Sequence, residues 1–170
     1  MRVRWYGQAA FRLQKDGLSV VIDPFGSMEA AASRGLRFDY PPIRDVQADL
    51  VLVTHEHFDH NGVEVVGGAP QVIRATAGKF DSPVGQVVAV AGEHDPVAGT
   101  MRGPNTIFGF ELGGLRCCHF GDFGHEVAHL ADLLLRFVFA HGIDGVLDFS
   151  AAGIHRFVLE SRHLSPSSEF

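Results

Sequence analysis

The sequence predicts a mixed α/β (α+β) fold with a β-rich first half, and three observations carry that expectation. Short apolar segments separated by turn residues fill the chain up to Gly121. One of them, Leu50-Val51-Leu52-Val53-Thr54, is continuously apolar, the pattern of a strand buried on both faces. Beyond Glu126 the apolar period changes to that of a helix. The 170 residues suffice for one domain with its own core, so a single domain over residues 1–170 is expected.

Each element has its own signal. Val3-Arg4-Trp5-Tyr6 reads as a first strand ended by Gly7. Residues 9–14 and 18–22 flank Lys15-Asp16-Gly17, a hairpin turn. Asp23-Pro24 stops the third strand, because proline cannot donate to a ladder. Residues 25–47 form a long connection with Gly26, Gly35 and Pro41-Pro42, which reads either as a lid or substrate wall or as a surface excursion. Residues 72–74, 86–90, 106–112 and 115–120 are further strands, the last two joined by Gly113-Gly114. Residues 126–141 read as a helix with Val127, Leu130, Ala131, Leu134 and Val138 on one face. Leu133, Leu135, Phe137 and Phe139 make the other side apolar too, so this helix needs burial or a partner. Residues 164–170 read as a disordered tail.

Composition narrows the function. The 46% hydrophobic and 20% charged content is ordinary for a soluble globular chain. A formal net charge of -6 argues against nucleic acid, which is usually held by a basic face. No apolar run is long enough to span a bilayer, and the first residues lack the apolar core of a signal peptide. Cys117 and Cys118 are adjacent, which disfavours an ordinary disulfide between them and fits the cytoplasm. Histidine, the commonest metal ligand, is abundant at ten residues.

The segment Thr54-His55-Glu56-His57-Phe58-Asp59-His60 carries the strongest chemical signal. Three imidazoles and a carboxylate fall within six residues at the end of a buried strand. In a turn, this H-x-H-x-D-H spacing lets His55 and His57 hold one cation while Asp59 and His60 face a second. Nitrogen and carboxylate donors suit zinc, and also manganese or iron. Composition alone gives roughly 0.002 such matches in a chain of this length, so chance explains it poorly.

With these residues in view, the chain resembles the metallo-β-lactamase superfamily. It is most similar to a small branch that includes ascorbate-6-phosphate-lactonase-like and other metal-dependent hydrolases. The resemblance covers about residues 1–124. Gly7-Gln8-Ala9-Ala10-Phe11 resembles the branch's opening strand and turn, and Val20-Val21-Ile22-Asp23-Pro24 its first motif. The H-x-H-x-D-H segment is the second motif. His94, in Gly92-Glu93-His94-Asp95, sits where the third-motif histidine falls. Arg102-Gly103-Pro104-Asn105-Thr106 leads into the next strand much as in the branch, and His119-Phe120-Gly121-Asp122 resembles the fourth motif.

The resemblance implies an αβ/βα sandwich and a set of roles. His55, His57 and His94 would form a three-histidine site with a position open for water. Asp59 and His60 would begin a second site, and Asp122 would bridge the two. Asp59 would also act in catalysis, orienting the attacking water or giving a proton to the leaving group. Asp23 would fix a ligand rather than be one, and His119 would sit in the core or support a ligand. One or two zinc ions, or manganese or iron, would be the cofactor. The implied activity is hydrolysis of a small ester, lactone or phosphoester by metal-activated water. The partner would be that small-molecule substrate, with no membrane and with homo-oligomerisation left open.

The chain departs from the family after Gly124. The expected final strand, glycine-containing loop and last histidine of the second site are missing there, leaving His141, His155 and His163 as candidates by type only. The second half is therefore expected to be altered or incomplete, with the reading frame shifted or truncated after about residue 124. A metal-binding remnant with little activity is the alternative function. His125-Glu126-Val127-Ala128-His129 also spells H-E-x-x-H, which chance gives in roughly 0.03 chains of this kind. A zinc peptidase built on it would need proteolysis dependent on Glu126. Its metzincin extension is absent, since Asp132 and Leu135 occupy the glycine and histidine positions. Asp122-Phe123-Gly124 spells a kinase triplet without any accompanying kinase motif.

Overall fold

The computed structural model describes residues 1–124, apart from Arg34 and Leu36. The elements run β1 (Arg2–Gly7), β2 (Ala10–Lys15), β3 (Leu18–Ile22), α1 (Glu29–Ser33), β4 (Val46–Gln47) and β5 (Leu50–Val53). A 3-10 turn (Val63–Val65) leads into β6 (Val66–Gly67), then β7 (Gln71–Arg74), β8 (Gly78–Ser82), β9 (Gly85–Glu93), β10 (Pro104–Leu112) and β11 (Leu115–His119). No helix among the described residues is long and apolar enough to cross a membrane. The expected helix over 126–141, the H-E-x-x-H motif and the tail lie outside the described residues.

Two sheets share one core. The first has the order β1-β2-β3-β5-β7, the second β11-β10-β9-β8, and β4 pairs with β6 in a small two-stranded ribbon. Side chains alternate across each strand. Val20, Ile22, Leu50 and Leu52 therefore meet Val87, Ala89, Phe108 and Phe110 between the sheets, while Val21, Val51 and Val53 face the other way. β5 runs parallel to both β3 and β7, and all four of its residues are fully buried, as its unbroken apolar run requires. Cys117 and Cys118 are free, and consecutive strand residues point to opposite faces. Burial pushes these thiols up, to about 11 and about 12.

Two differences from the sequence reading have physical causes. By sequence the 25–47 connection reads as a wall or as an excursion. It is instead a cover: Phe25, Ile43 and Val46 are buried against Val21, Val51 and Val53 on the outer face of the first sheet. β8 carries no strand signal because Gly78-Lys79-Phe80-Asp81-Ser82 is largely polar. It is an edge strand that pairs with β9 in the sheet, and it has no buried residue.

Candidate metal centre

The chemistry-bearing residues meet where four strands end. Asp23 follows β3, Thr54 and His55 follow β5, His94 follows β9, and His119 ends β11 with Asp122 just beyond. The sheets are joined there by a main-chain bond, Thr106 N–H to the Thr54 carbonyl at 2.9 Å. Gly121 makes the close approach feasible. It has φ +57, and a Cβ on it would lie 2.5 Å from both Thr54 Oγ1 and Asn105 Oδ1. Asn105 then fixes the turn by donating to the Phe120 carbonyl at 2.7 Å and accepting from the Asp122 N–H at 3.3 Å.

Asp23 is the hub of this framework. It is fully buried at φ 45. Its Oδ1 accepts from the Thr54 N–H at 2.7 Å, and its Oδ2 accepts from the Thr54 hydroxyl at 2.7 Å. The same Oδ2 faces His60 Nδ1 at 3.1 Å and His119 Nε2 at 3.2 Å. Burial alone would raise its pKa, but the hydrogen bonds from His119 and His60 outweigh that and hold the carboxyl well below its usual range.

The framework fixes how the imidazoles present themselves. The single proton of the Thr54 hydroxyl goes to Asp23, so its oxygen can only accept from His55 Nδ1, 3.0 Å away. In neutral His55 the lone pair is therefore on Nε2, which faces His57 Nδ1 at 3.1 Å. Burial and the neighbouring charge of His60 push His55 down to about 3, so it is neutral in ordinary buffers. His60 behaves oppositely. Burial lowers it, but its hydrogen bonds to Asp122 and Asp23 dominate and lift it to about 10. Asp122 is raised by burial and lowered more by His60, ending at about 2.

Two groups of ligand atoms converge. His55, His57 and His94 each bring a nitrogen within 4.8 Å of the others, and His55, His60 and Asp122 form a second such group. The rings of the first group stand 4.6 to 4.9 Å apart, centroid to centroid, with no carboxylate among these three. Three converging imidazole nitrogens fit a borderline cation. His94 Nε2 also approaches Asp122 Oδ2 at 3.1 Å, and its Nδ1 is buried without a hydrogen-bond partner. Asp59 belongs to neither group; its Oδ2 is 3.7 Å from His60 Nε2. His119 stands apart from both, against Asp23. Thr54, Asn105 and Gly121 have no role in the sequence reading, although each lies within a segment that resembles the family.

Glu56, between two of the histidines, turns outward. Arg74 at the end of β7 donates Nε to Oε1 at 3.0 Å and Nη2 to Oε2 at 2.6 Å, and Asn61 Nδ2 adds a contact at 3.3 Å. Both partners are more than a third exposed, and such pairs contribute only about 0–1 kcal/mol. Arg74→Ala is accordingly expected to lower apo-protein stability by less than about 1 kcal/mol in urea unfolding. A loss of about 2 kcal/mol or more would show that the fork anchors the loop.

Comparison with known proteins gives a consistent picture. Residues 2–147 match the family model described as a beta-lactamase superfamily domain. That match extends past the stretch to about residue 124 on which the motifs lie. A metal-dependent hydrolase of Nitratidesulfovibrio vulgaris is 30% identical over 155 residues, covering 84% of this chain and 58% of that protein. One from Methanopyrus kandleri is 47% identical over 64 residues, 36% of this chain and 24% of that protein. The chain thus spans less than two thirds of the length of these relatives. Among solved structures, a candidate Zn-dependent hydrolase of the metallo-β-lactamase superfamily from Thermotoga maritima aligns with a TM-score of 0.52 and 29% identity, over 76% of this chain and 55% of that one. A candidate metal-dependent hydrolase from Veillonella parvula also gives 0.52, at 16% identity over 76% and 65% of the two chains, a likeness of fold alone.

Proposed function

The chain belongs to the beta-lactamase superfamily, and from that premise we propose that it is a metal-dependent hydrolase of a small ester, lactone or phosphoester, using zinc in the cytoplasm. The observation that carries the reading is the convergence of His55, His57 and His94 within 4.8 Å. His55, His57 and His94 would hold one cation. His60, Asp59 and Asp122 would serve a second. A bound divalent cation supplies a water acidic enough to attack at neutral pH and polarises the carbonyl or phosphoryl oxygen under attack.

The chain's own residues supply the rest. Thr54 and Asp23 lock the His55 tautomer so that Nε2 faces inward, and Asp23 holds His60 by Nδ1. Asp59, partly exposed, would orient the attacking water or pass a proton to the leaving oxygen. Metal analysis of the purified protein, together with a panel of chromogenic esters, lactones and phosphodiesters, tests the reading. Turnover that depends on bound metal supports it, and metal-free protein with full turnover would end it.

The two proposed sites should differ in affinity. His55 is already unprotonated near neutral pH, whereas His60, lifted to about 10, carries a proton that a cation must displace. Zinc titration of apo-protein against a competing chelator should therefore show one tight event and one weaker event. The sign follows from the raised pKa: below about 10 the proton competes, so the weaker event should tighten about tenfold per pH unit from pH ~6.5 to ~8.5. Two equally tight, pH-independent events would contradict this assignment.

A further inference from the structure

The loop after His94 is held by one buried carboxylate. Asp95 is 4% exposed. Its Oδ1 accepts from the N–H groups of Val97 and Gly99, both at 3.0 Å. Its Oδ2 accepts from those of Met101 and Arg102, at 3.0 and 2.7 Å. An ionised carboxylate offers about four lone-pair sites, and four amides fill them, so Asp95 has no capacity left to ligate a cation. The loop is also closed on itself: His94 N–H donates to the Gly103 carbonyl at 3.0 Å, and Gly103 N–H to the Gly99 carbonyl at 2.9 Å. Gly99 suits this turn, with φ +70 and with the Gly103 carbonyl 3.0 Å from where a Cβ would stand.

His94 needs such support more than His55 and His60 do. The ladder of β9 ends at Glu93, so His94 is the first residue beyond it, and its ring must meet His55 and His57 from the other sheet. His55 is fixed through its far nitrogen by Thr54, and His60 by Asp23. A ligating imidazole is usually oriented by such a partner. His94 has none: Nδ1 is buried without a hydrogen bond, and Nε2 approaches Asp122 on the metal side. On the side away from the ligand group, its ring is therefore aimed by its main chain and by packing rather than by a hydrogen bond.

We propose that Asp95 is a positioning residue that aims His94 into the three-imidazole group by tying the following loop into a rigid knot. The proposal rests on His55, His57 and His94 holding a metal. The test titrates the 170-residue apo-protein with zinc against a chelator, and records the visible absorption of the cobalt(II)-loaded protein. It compares wild type, Asp95→Asn, Asp95→Ala and His57→Ala. Loss of a group that orients a ligand costs about 10- to 100-fold in affinity. Asp95→Asn, which keeps one carbonyl oxygen, should bind zinc about tenfold more weakly, and Asp95→Ala up to about a hundredfold more weakly. The cobalt spectrum should change in the same order at a temperature where each variant is folded.

Wild-type affinity and an unchanged cobalt spectrum in both Asp95 variants would overturn the proposal. Failure of wild type to bind zinc, or wild-type binding by His57→Ala, would instead remove the metal reading and the proposal with it. Should neither Asp95 variant fold, hydrogen exchange on wild type decides. The amides of Val97, Gly99, Met101 and Arg102 should exchange slowly for a loop, and exchange at the free-peptide rate would overturn the knot.

Discussion

Replacing His57 by alanine is expected to leave the chain folded but without its tightly held cation and without hydrolysis. His57 is only half-buried and belongs to no hydrophobic cluster, so truncating it opens no cavity in the core. Its polar contact is with His55, across the 3.1 Å gap where the three nitrogens converge. Structural four-ligand zinc sites bind with about 10–16 kcal/mol, or ~3 kcal/mol per ligand, so one lost nitrogen weakens binding on the order of a hundredfold or more. Elemental analysis after dialysis should find little metal in the variant, while its circular dichroism matches that of wild type. A variant that retains its metal in full would take away the basis of the hydrolase reading.

Asp23→Ala is expected to be the most destabilising single change at the site. The carboxylate satisfies two donors of Thr54 and stands against His60 and His119, all of them buried. Removing one member of a buried, hydrogen-bonded charge pair costs about 3–5 kcal/mol, because the remaining charge is left unpaired. The pH dependence follows from the two shifts. Asp23 is depressed from its ordinary value of 3.8, so its contribution is present above that value and is lost as the solution becomes more acid. His60 is raised from 6.5 to about 10, so its contribution is complete below 6.5 and is lost as pH rises toward 10. The gap between wild type and variant in urea unfolding of apo-protein should therefore be widest between about pH 4 and 6.5. A gap under about 1 kcal/mol throughout would show that the network is not a folding constraint.

What the sequence makes legible is what lies in consecutive residues. Leu50–Val53 announces a central strand because burial on both faces leaves no room for a polar residue. H-x-H-x-D-H stands out because its donors are packed into one turn, and His94 and Asp122 could be found only through motifs of a known family. The supporting shell is different. Asp95 works through main-chain amides, which leave no mark on side-chain identity. Glu56 and Arg74 are 18 residues apart and meet only because β5 and β7 run parallel in a register that pairs Val53 with Arg74. The cover formed by Phe25, Ile43 and Val46 is illegible for a related reason: three apolar residues at irregular spacing have no period.

The ligand groups also divide between the sheets. His55, His57 and His60 follow a strand of the first sheet, whereas His94 and Asp122 follow strands of the second. A cation held by His55, His57 and His94 is thus a rivet through the seam of the sandwich, closing a chain segment of some forty residues much as a crosslink would. Its grip would be felt mechanically. Free metal at a hundred times its dissociation constant would add about 2.7 kcal/mol against any opening that parts the sheets, and nothing against fraying within one of them. Metal supply would then set how often the two halves of the core separate, and the same ion that prepares the reaction would decide how long the molecule survives.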